Sequence, residues 1–239
     1  MTSESRHRPP PRRDDGQRGV WRGFADAEPG TGAERRVFIA VPDPEAVRLF
    51  VAELVDRVRA SEAASRADDG PDGRPPGGRS PRGARWVDLG DLHLTLRFLG
   101  PTPELRLPGL RGAVDSAAAG QWPFRVAIGG GGAFPSVERP RAIWLGVADP
   151  DGGLTRLADS VGRALVEAGW PADERLFTPH LTLARTDGVR SGPRVARRLV
   201  AAADGLEAWF EVDRLVLYES HTGGGPARYQ PLHEAALSA

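Results

Sequence analysis

Leu92-His93-Leu94-Thr95-Leu96-Arg97-Phe98-Leu99-Gly100 and Phe177-Thr178-Pro179-His180-Leu181-Thr182-Leu183-Ala184-Arg185 carry the same tetrapeptide, His-Leu-Thr-Leu, 87 positions apart (180 − 93). In each copy apolar and polar residues alternate, which is the period of a strand with one buried face. His93 and Thr95 then share one face, with Leu92, Leu94, Leu96 and Phe98 on the other. His180 and Thr182 likewise oppose Leu181 and Leu183. The chain has five histidines, and two of them fall in the duplicate. A lone strand histidine is ordinarily half-buried and bonded to backbone. An imidazole–hydroxyl pair repeated on matching strands points instead to one site built twice.

Outward from the motifs the elements alternate irregularly. Arg36 to Val41 reads as a buried strand stopped by Pro42. Asp43-Pro44-Glu45 looks like an N-cap with Pro at the first helical position, and Val47, Phe50, Val51, Leu54, Val55 and Val58 give the helical stripe. Trp86-Val87 resumes an extended segment, and Glu104 to Ala119 reads as a helix. Phe124 to Ile128 is a strand ending in Gly129 to Gly132, and Ala142 to Val147 is another. Leu154, Leu157, Val161, Leu165 and Val166 mark a helix ending near Gly169. Pro193 to Ala203 predicts a helix, Phe210 to Tyr218 a strand and Arg228 to Leu232 a last short one. Strands and helices without regular βα alternation favour an α+β fold with mostly antiparallel sheet. Residues 1–34, polar and proline-rich, read as a disordered tail, and 61–84, rich in Gly, Pro, Arg, Asp and Ser, as a flexible insertion in a single domain spanning 35–239.

Composition removes many chemistries. The 239 residues contain 32 Lys+Arg, every one of them arginine, against 32 Asp+Glu, and no cysteine. Without lysine there is no Walker-type phosphate loop, no Schiff base and no lysyl-adenylate. Without cysteine there is no thiol nucleophile, disulfide or thiolate-held metal. Balanced charge argues against a surface coated in cations for long nucleic acid, but is compatible with a local arginine pocket. No apolar run is long enough for a membrane span and the N-terminus lacks a signal-like apolar core, so no membrane association and a cytoplasmic location are expected.

Two imidazoles titrating near neutrality supply a general acid and a general base for one turnover, and two hydroxyls can bond anionic oxygens. That combination suits attack on a phosphate flanked by an entering and a leaving oxygen. The tetrapeptides contain no carboxylate and no third imidazole, so no metal and no cofactor are expected at the site. Because the two copies are identical, these residues do not say which histidine is acid and which is base.

Paired H-x-T-x motifs on strands resemble the two-histidine (2H) phosphoesterase superfamily, and within it the RNA 2′,3′-cyclic phosphodiesterase branch, also called 2′-5′ RNA ligase. The likeness extends to Arg36 to Pro42, to Gly132-Ala133-Phe134-Pro135 with Trp144-Leu145-Gly146, and to Leu217-Tyr218-Glu219-Ser220 with Tyr229-Gln230-Pro231-Leu232. The resemblance implies a bilobal fold, with two pseudo-twofold-related lobes whose sheets line a cleft and whose helices lie outside. It implies hydrolysis of a 2′,3′-cyclic phosphate on RNA ends or nucleotides to a 2′-phosphomonoester. By it His93 is the proton donor, His180 the proton acceptor, and Thr95, Thr182 and Arg185 hold the substrate phosphate. Two lobes in one chain complete the site within a monomer. ATP-independent 2′-5′ ligation at the same site, or a module that binds RNA phosphate ends without turnover, are the alternatives.

Strict alternation puts Arg185 on the face away from His180, so it reaches the cleft only if the strand ends or bulges near Ala184. Arg97 lies on the His93 face by the same count, as a substrate contact or a solvated, ion-paired side chain. Gly129 to Gly132 reads as a loop turn in preference to a phosphate nest. Phe38, Trp144, Tyr218 and Tyr229 are candidates for base stacking or for core packing. His221 is expected to be a solvated loop side chain.

Overall fold

The computed structural model describes residues 33–68, 84–186, 188, 192–221 and 227–238. In chain order the elements are β1 (Glu34–Pro42), α1 (Glu45–Asp68), β2 (Arg85–Trp86), β3 (His93–Pro103), α2 (Leu107–Ala118), β4 (Phe124–Phe134), β5 (Ala142–Ala148), α3 (Gly153–Glu167), β6 (His180–Arg185), α4 (Gly192–Ala203), β7 (Glu207–Val212), β8 (Arg214–His221) and β9 (Arg228–Ala236). Residues 31–239 make one compact unit. The tail expected over 1–34 lies outside the described residues except at its end, where Glu34 already opens β1.

The strands pair antiparallel in one sheet of order β7-β4-β5-β6-β3-β1-β8-β9, with β2 added on β6. The two motif strands are central and meet at a single pair, Leu94↔Leu181. About that pair the halves correspond. Val41↔Leu94 and Pro42↔His93 on one side match Leu145↔Leu181 and Gly146↔His180 on the other. The order β1-α1-β3-α2-β4 recurs as β5-α3-β6-α4-β8, and the last strand of each repeat crosses over, β4 to lie beside β5 and β8 beside β1. The expected pseudo-twofold is therefore present, and each half of the sheet is assembled from both repeats.

The leucine face of the motifs belongs to the core. Leu94, Leu181 and Leu183 cluster with the stripes of all four helices, among them Val51 and Leu54, Leu110 and Val114, Leu157 and Val161, and Val195 and Leu199. Helix α1 packs on α4, and α2 on α3. Helices thus cover the leucine face, and the His/Thr face stays open. The start of α3 is fixed by Asp149, whose carboxylate accepts from the amides of Leu154 (3.0 Å) and Thr155 (2.9 Å).

Several expectations give way to packing. Helix α1 continues to Asp68, so the stretch expected to be an insertion from 61 begins as helix; residues 69–83 lie outside the described residues. Asp43 does not cap α1 but accepts from Arg48 Nε at 3.1 Å, and Pro44 carbonyl receives the Val47 amide. The strand expected over 210–218 is two strands, because the chain crosses at Asp213 from the β4 edge to the β1 edge. Gly129 to Gly132 are inside β4 rather than in a turn. A Cβ at Gly131 would lie 2.8 Å from Val200 Cα in α4, and one at Gly132 would collide with the Trp144 ring, so glycine is demanded by close approach.

Two stability predictions follow from this packing. Leu181, 2% exposed, should cost about 2–5 kcal/mol when changed to Ala, read by denaturant unfolding. Gly131→Ala should cost roughly 1–3 kcal/mol by forcing α4 from β4, and a neutral result would show that the helix can yield.

Candidate active site

The two histidines are anchored identically. His93 Nδ1 lies 2.8 Å from the carbonyl oxygen of Asp91, and His180 Nδ1 lies 2.7 Å from that of Thr178. Each acceptor is two residues upstream. A carbonyl brings no proton, so Nδ1–H must be the donor in both rings. In the neutral imidazole the basic lone pair is then on Nε2, the atom directed away from the backbone. Register and tautomer repeat together across the pseudo-twofold.

A bulge also repeats. Between β5 and β6 the pairing steps from Trp144↔Thr182 to Ile143↔Ala184, leaving Leu183 as the extra residue. Between β1 and β3 it steps from Ala40↔Thr95 to Ile39↔Arg97, leaving Leu96. Each bulge inverts the side-chain alternation beyond the tetrapeptide. Arg185 therefore turns to the cleft with His180 and Thr182, which meets the condition that its spacing set. On β3 the same inversion removes Arg97 and brings in Phe98. Arg97 instead pairs with Asp173 at 3.0 Å and donates to Pro171 carbonyl at 2.6 Å, so the expectation that it shares the His93 face is corrected.

His93, Thr95, His180, Thr182 and Arg185 all line one cleft of about 720 Å³. Aromatic rings wall each imidazole. Phe38 lies 4.7 Å from the His93 ring and Tyr229 stands edge-on to it at 4.8 Å. Phe134 stands edge-on to His180 at 5.0 Å, with Trp144 at 6.2 Å. Tyr218 stacks on Phe38 at 5.3 Å. These aromatics hold the histidines. No local pattern marks Phe134 as a site residue, because only the register of β4 against β5 brings it to His180. Arg36, Arg85 and Arg141 also line the cleft; Arg36 lies over the Phe98 ring at 4.6 Å.

Burial, above all, pushes the His93 pKa down to about 4, with further lowering by Arg185 and His180 against the help of the Asp91 carbonyl. His180 is lowered first by burial and then by Arg185, against the help of the Thr178 carbonyl. One guanidinium thus opposes protonation of both rings. Among the described residues no group of three or more His, Cys, Asp or Glu is placed to hold a metal ion, and no helix is long and apolar enough to cross a membrane. Of the other histidines, His221 is exposed at the end of β8, 3.7 Å from Glu219, and His233 meets Asp115 at 2.7 Å between β9 and α2. His7 lies outside the described residues.

Known proteins resemble this chain in sequence and in fold. An RNA 2′,3′-cyclic phosphodiesterase of Aeropyrum pernix is 35% identical over 151 residues, which is 63% of this chain and 84% of that protein. One of Thermotoga maritima is 28% identical over 200 residues, 83% of this chain and 94% of that protein. The crystal structure of E. coli LigT complexed with 3′-AMP superposes with a TM-score of 0.60 at 26% identity, over 86% of this chain and 99% of that one. The family model of the 2′-5′ RNA ligase superfamily matches residues 52–224, a span that holds both anchored histidines, both bulges and Arg185. By its sequence as by its duplicated histidine strands, the chain belongs to the 2′-5′ RNA ligase superfamily.

Proposed function

We propose that the chain hydrolyses 2′,3′-cyclic phosphates on RNA ends or nucleotides to 2′-phosphomonoesters, by acid–base catalysis between His93 and His180. The observation that carries this reading is the identical Nδ1 anchoring of two imidazoles facing one cleft. His180 Nε2 takes a proton from water as its oxygen attacks phosphorus. The bond from phosphorus to the 3′ oxygen breaks, and His93 Nε2–H protonates the departing oxygen. The Thr95 and Thr182 hydroxyls and the Arg185 guanidinium hold the non-bridging oxygens. The phosphate anion offsets the Arg185 charge that disfavours the imidazolium, so substrate itself favours charging the acid. Relatives named RNA 2′,3′-cyclic phosphodiesterase support the substrate class. Both half-sites come from one chain, which goes with a monomer, and a cytoplasmic setting goes with RNA ends as substrate.

His93→Ala and His180→Ala should each lower kcat on a 2′,3′-cyclic nucleotide by roughly 10²–10⁴-fold, with the circular-dichroism spectrum unchanged. Near-normal turnover in either variant contradicts the assignment, and activity lost in EDTA revives a metal. The acid works protonated and the base neutral, so activity falls at high pH through one histidine and at low pH through the other. Both rings are depressed in the free cleft. The two limbs of the kcat/KM profile should therefore lie below 6.5, the ordinary imidazole value, with the kcat bell displaced to higher pH by bound phosphate. An alkaline limb well above 6.5 in kcat/KM would count against histidine as the acid.

A further inference from the structure

Strand β2 is only two residues long, yet its pairing is specific. Arg85 lies directly opposite Arg185, and Trp86 opposite Ala184. Directly opposed residues on antiparallel strands project to the same face, and like charges placed so repel each other. Arg141 immediately precedes Ala142, the residue opposite Arg185 on the other flank of β6, and it too lines the cleft. Its backbone is held at both ends. The Arg141 amide donates to Phe134 carbonyl at 2.6 Å, and the Thr186 amide donates to Arg141 carbonyl at 3.1 Å. Among the described residues no salt bridge joins Arg85, Arg141 or Arg185 to a carboxylate, whereas Arg35, Arg48, Arg97 and Arg175 are all paired. The acids in the cleft are engaged elsewhere. Asp88 accepts from the Gly90 amide and Asp91 from the Tyr229 amide.

A cyclic phosphate is a monoanion, and Arg185 with two threonines suffices to hold it. Three arginines lining the cleft from β6 and its two flanks exceed that need. The surplus is also one-sided, since the position on β3 equivalent to Arg185 is Phe98, already covered by Arg36. We propose that Arg85 and Arg141 form a second phosphate subsite beside Arg185, which receives the phosphate on the 5′ side of the cyclic-phosphate nucleotide. The preferred substrate then carries two phosphates, as an oligoribonucleotide end or a 5′-phosphorylated nucleotide, and leaves the cleft along the β6–β2 wall. This rests on the hydrolytic reading of the same site.

The test compares three substrates on the intact chain: a nucleoside 2′,3′-cyclic phosphate, its 5′-phosphorylated form, and a dinucleotide ending in the cyclic phosphate. Wild type should favour both two-phosphate substrates in kcat/KM, chiefly through KM. The preference should fall by about tenfold in Arg85→Gln and again in Arg141→Gln, as loss of one charged hydrogen bond implies. A log–log plot of kcat/KM against salt should steepen by about 0.7 for the added phosphate in wild type and lose that increment in the variants. Preference for the dinucleotide alone would assign the subsite to a chain phosphodiester, and preference for both to any 5′ phosphate. Equal kcat/KM for all three substrates, or a preference that survives in both variants, overturns the subsite while leaving hydrolysis standing. No turnover of any substrate by wild type would fail the hydrolytic reading first.

Discussion

One backbone pair joins the two motif strands on which the proposed chemistry rests. Leu94 and Leu181 are the only residues through which β3 and β6 pair, and each is the second residue of its His-Leu-Thr-Leu copy. Their side chains point into the core, and the flanking histidines and threonines face the opposite way. The pseudo-twofold passes between them, so whatever fixes one imidazole fixes the other in mirrored strand context. Nδ1 anchoring, the bulge after the threonine and the aromatic wall all recur for that reason.

Symmetry alone would make a poor catalyst, because a displacement at phosphorus needs one group with a proton and one without. The departures from symmetry lie in what the bulges deliver. On β6 the inversion supplies Arg185; on β3 it supplies Phe98. Arg185 then opposes charge on both rings, and His93 is the more deeply buried of the two. The same duplicated scaffold thus gives a cleft with a cationic side and an aromatic side.

The sequence carried the motif strands, the α+β class and the buried leucine face, because period-two alternation is local and strong in these segments. The bulges were not legible, since an extra residue leaves no mark on composition. Arg97 therefore read as lying on the His93 face, as a substrate contact or an ion-paired side chain, and Phe98 as core; the ion pair is what forms. Arg185 was legible only as a condition on the strand near Ala184. The glycine run misled for a related reason. Gly131 and Gly132 serve the approach of Val200 and the Trp144 ring, contacts between residues far apart in the chain. The Arg85–Arg185 juxtaposition depends on register between a two-residue strand and β6, which no local pattern encodes.

The absence of lysine and cysteine gains meaning from the site. In the proposed mechanism two imidazoles move protons, hydroxyls and guanidiniums hold oxygens, and no step calls for an amine or a thiol. The most direct measurement of this account is the product of an oligoribonucleotide ending in a 2′,3′-cyclic phosphate, incubated with the intact protein in EDTA and resolved into 2′- and 3′-phosphate. The account predicts the 2′-phosphomonoester with a free 3′ hydroxyl. A 3′-phosphate product, or no product from a chain that binds the RNA end, would contradict it.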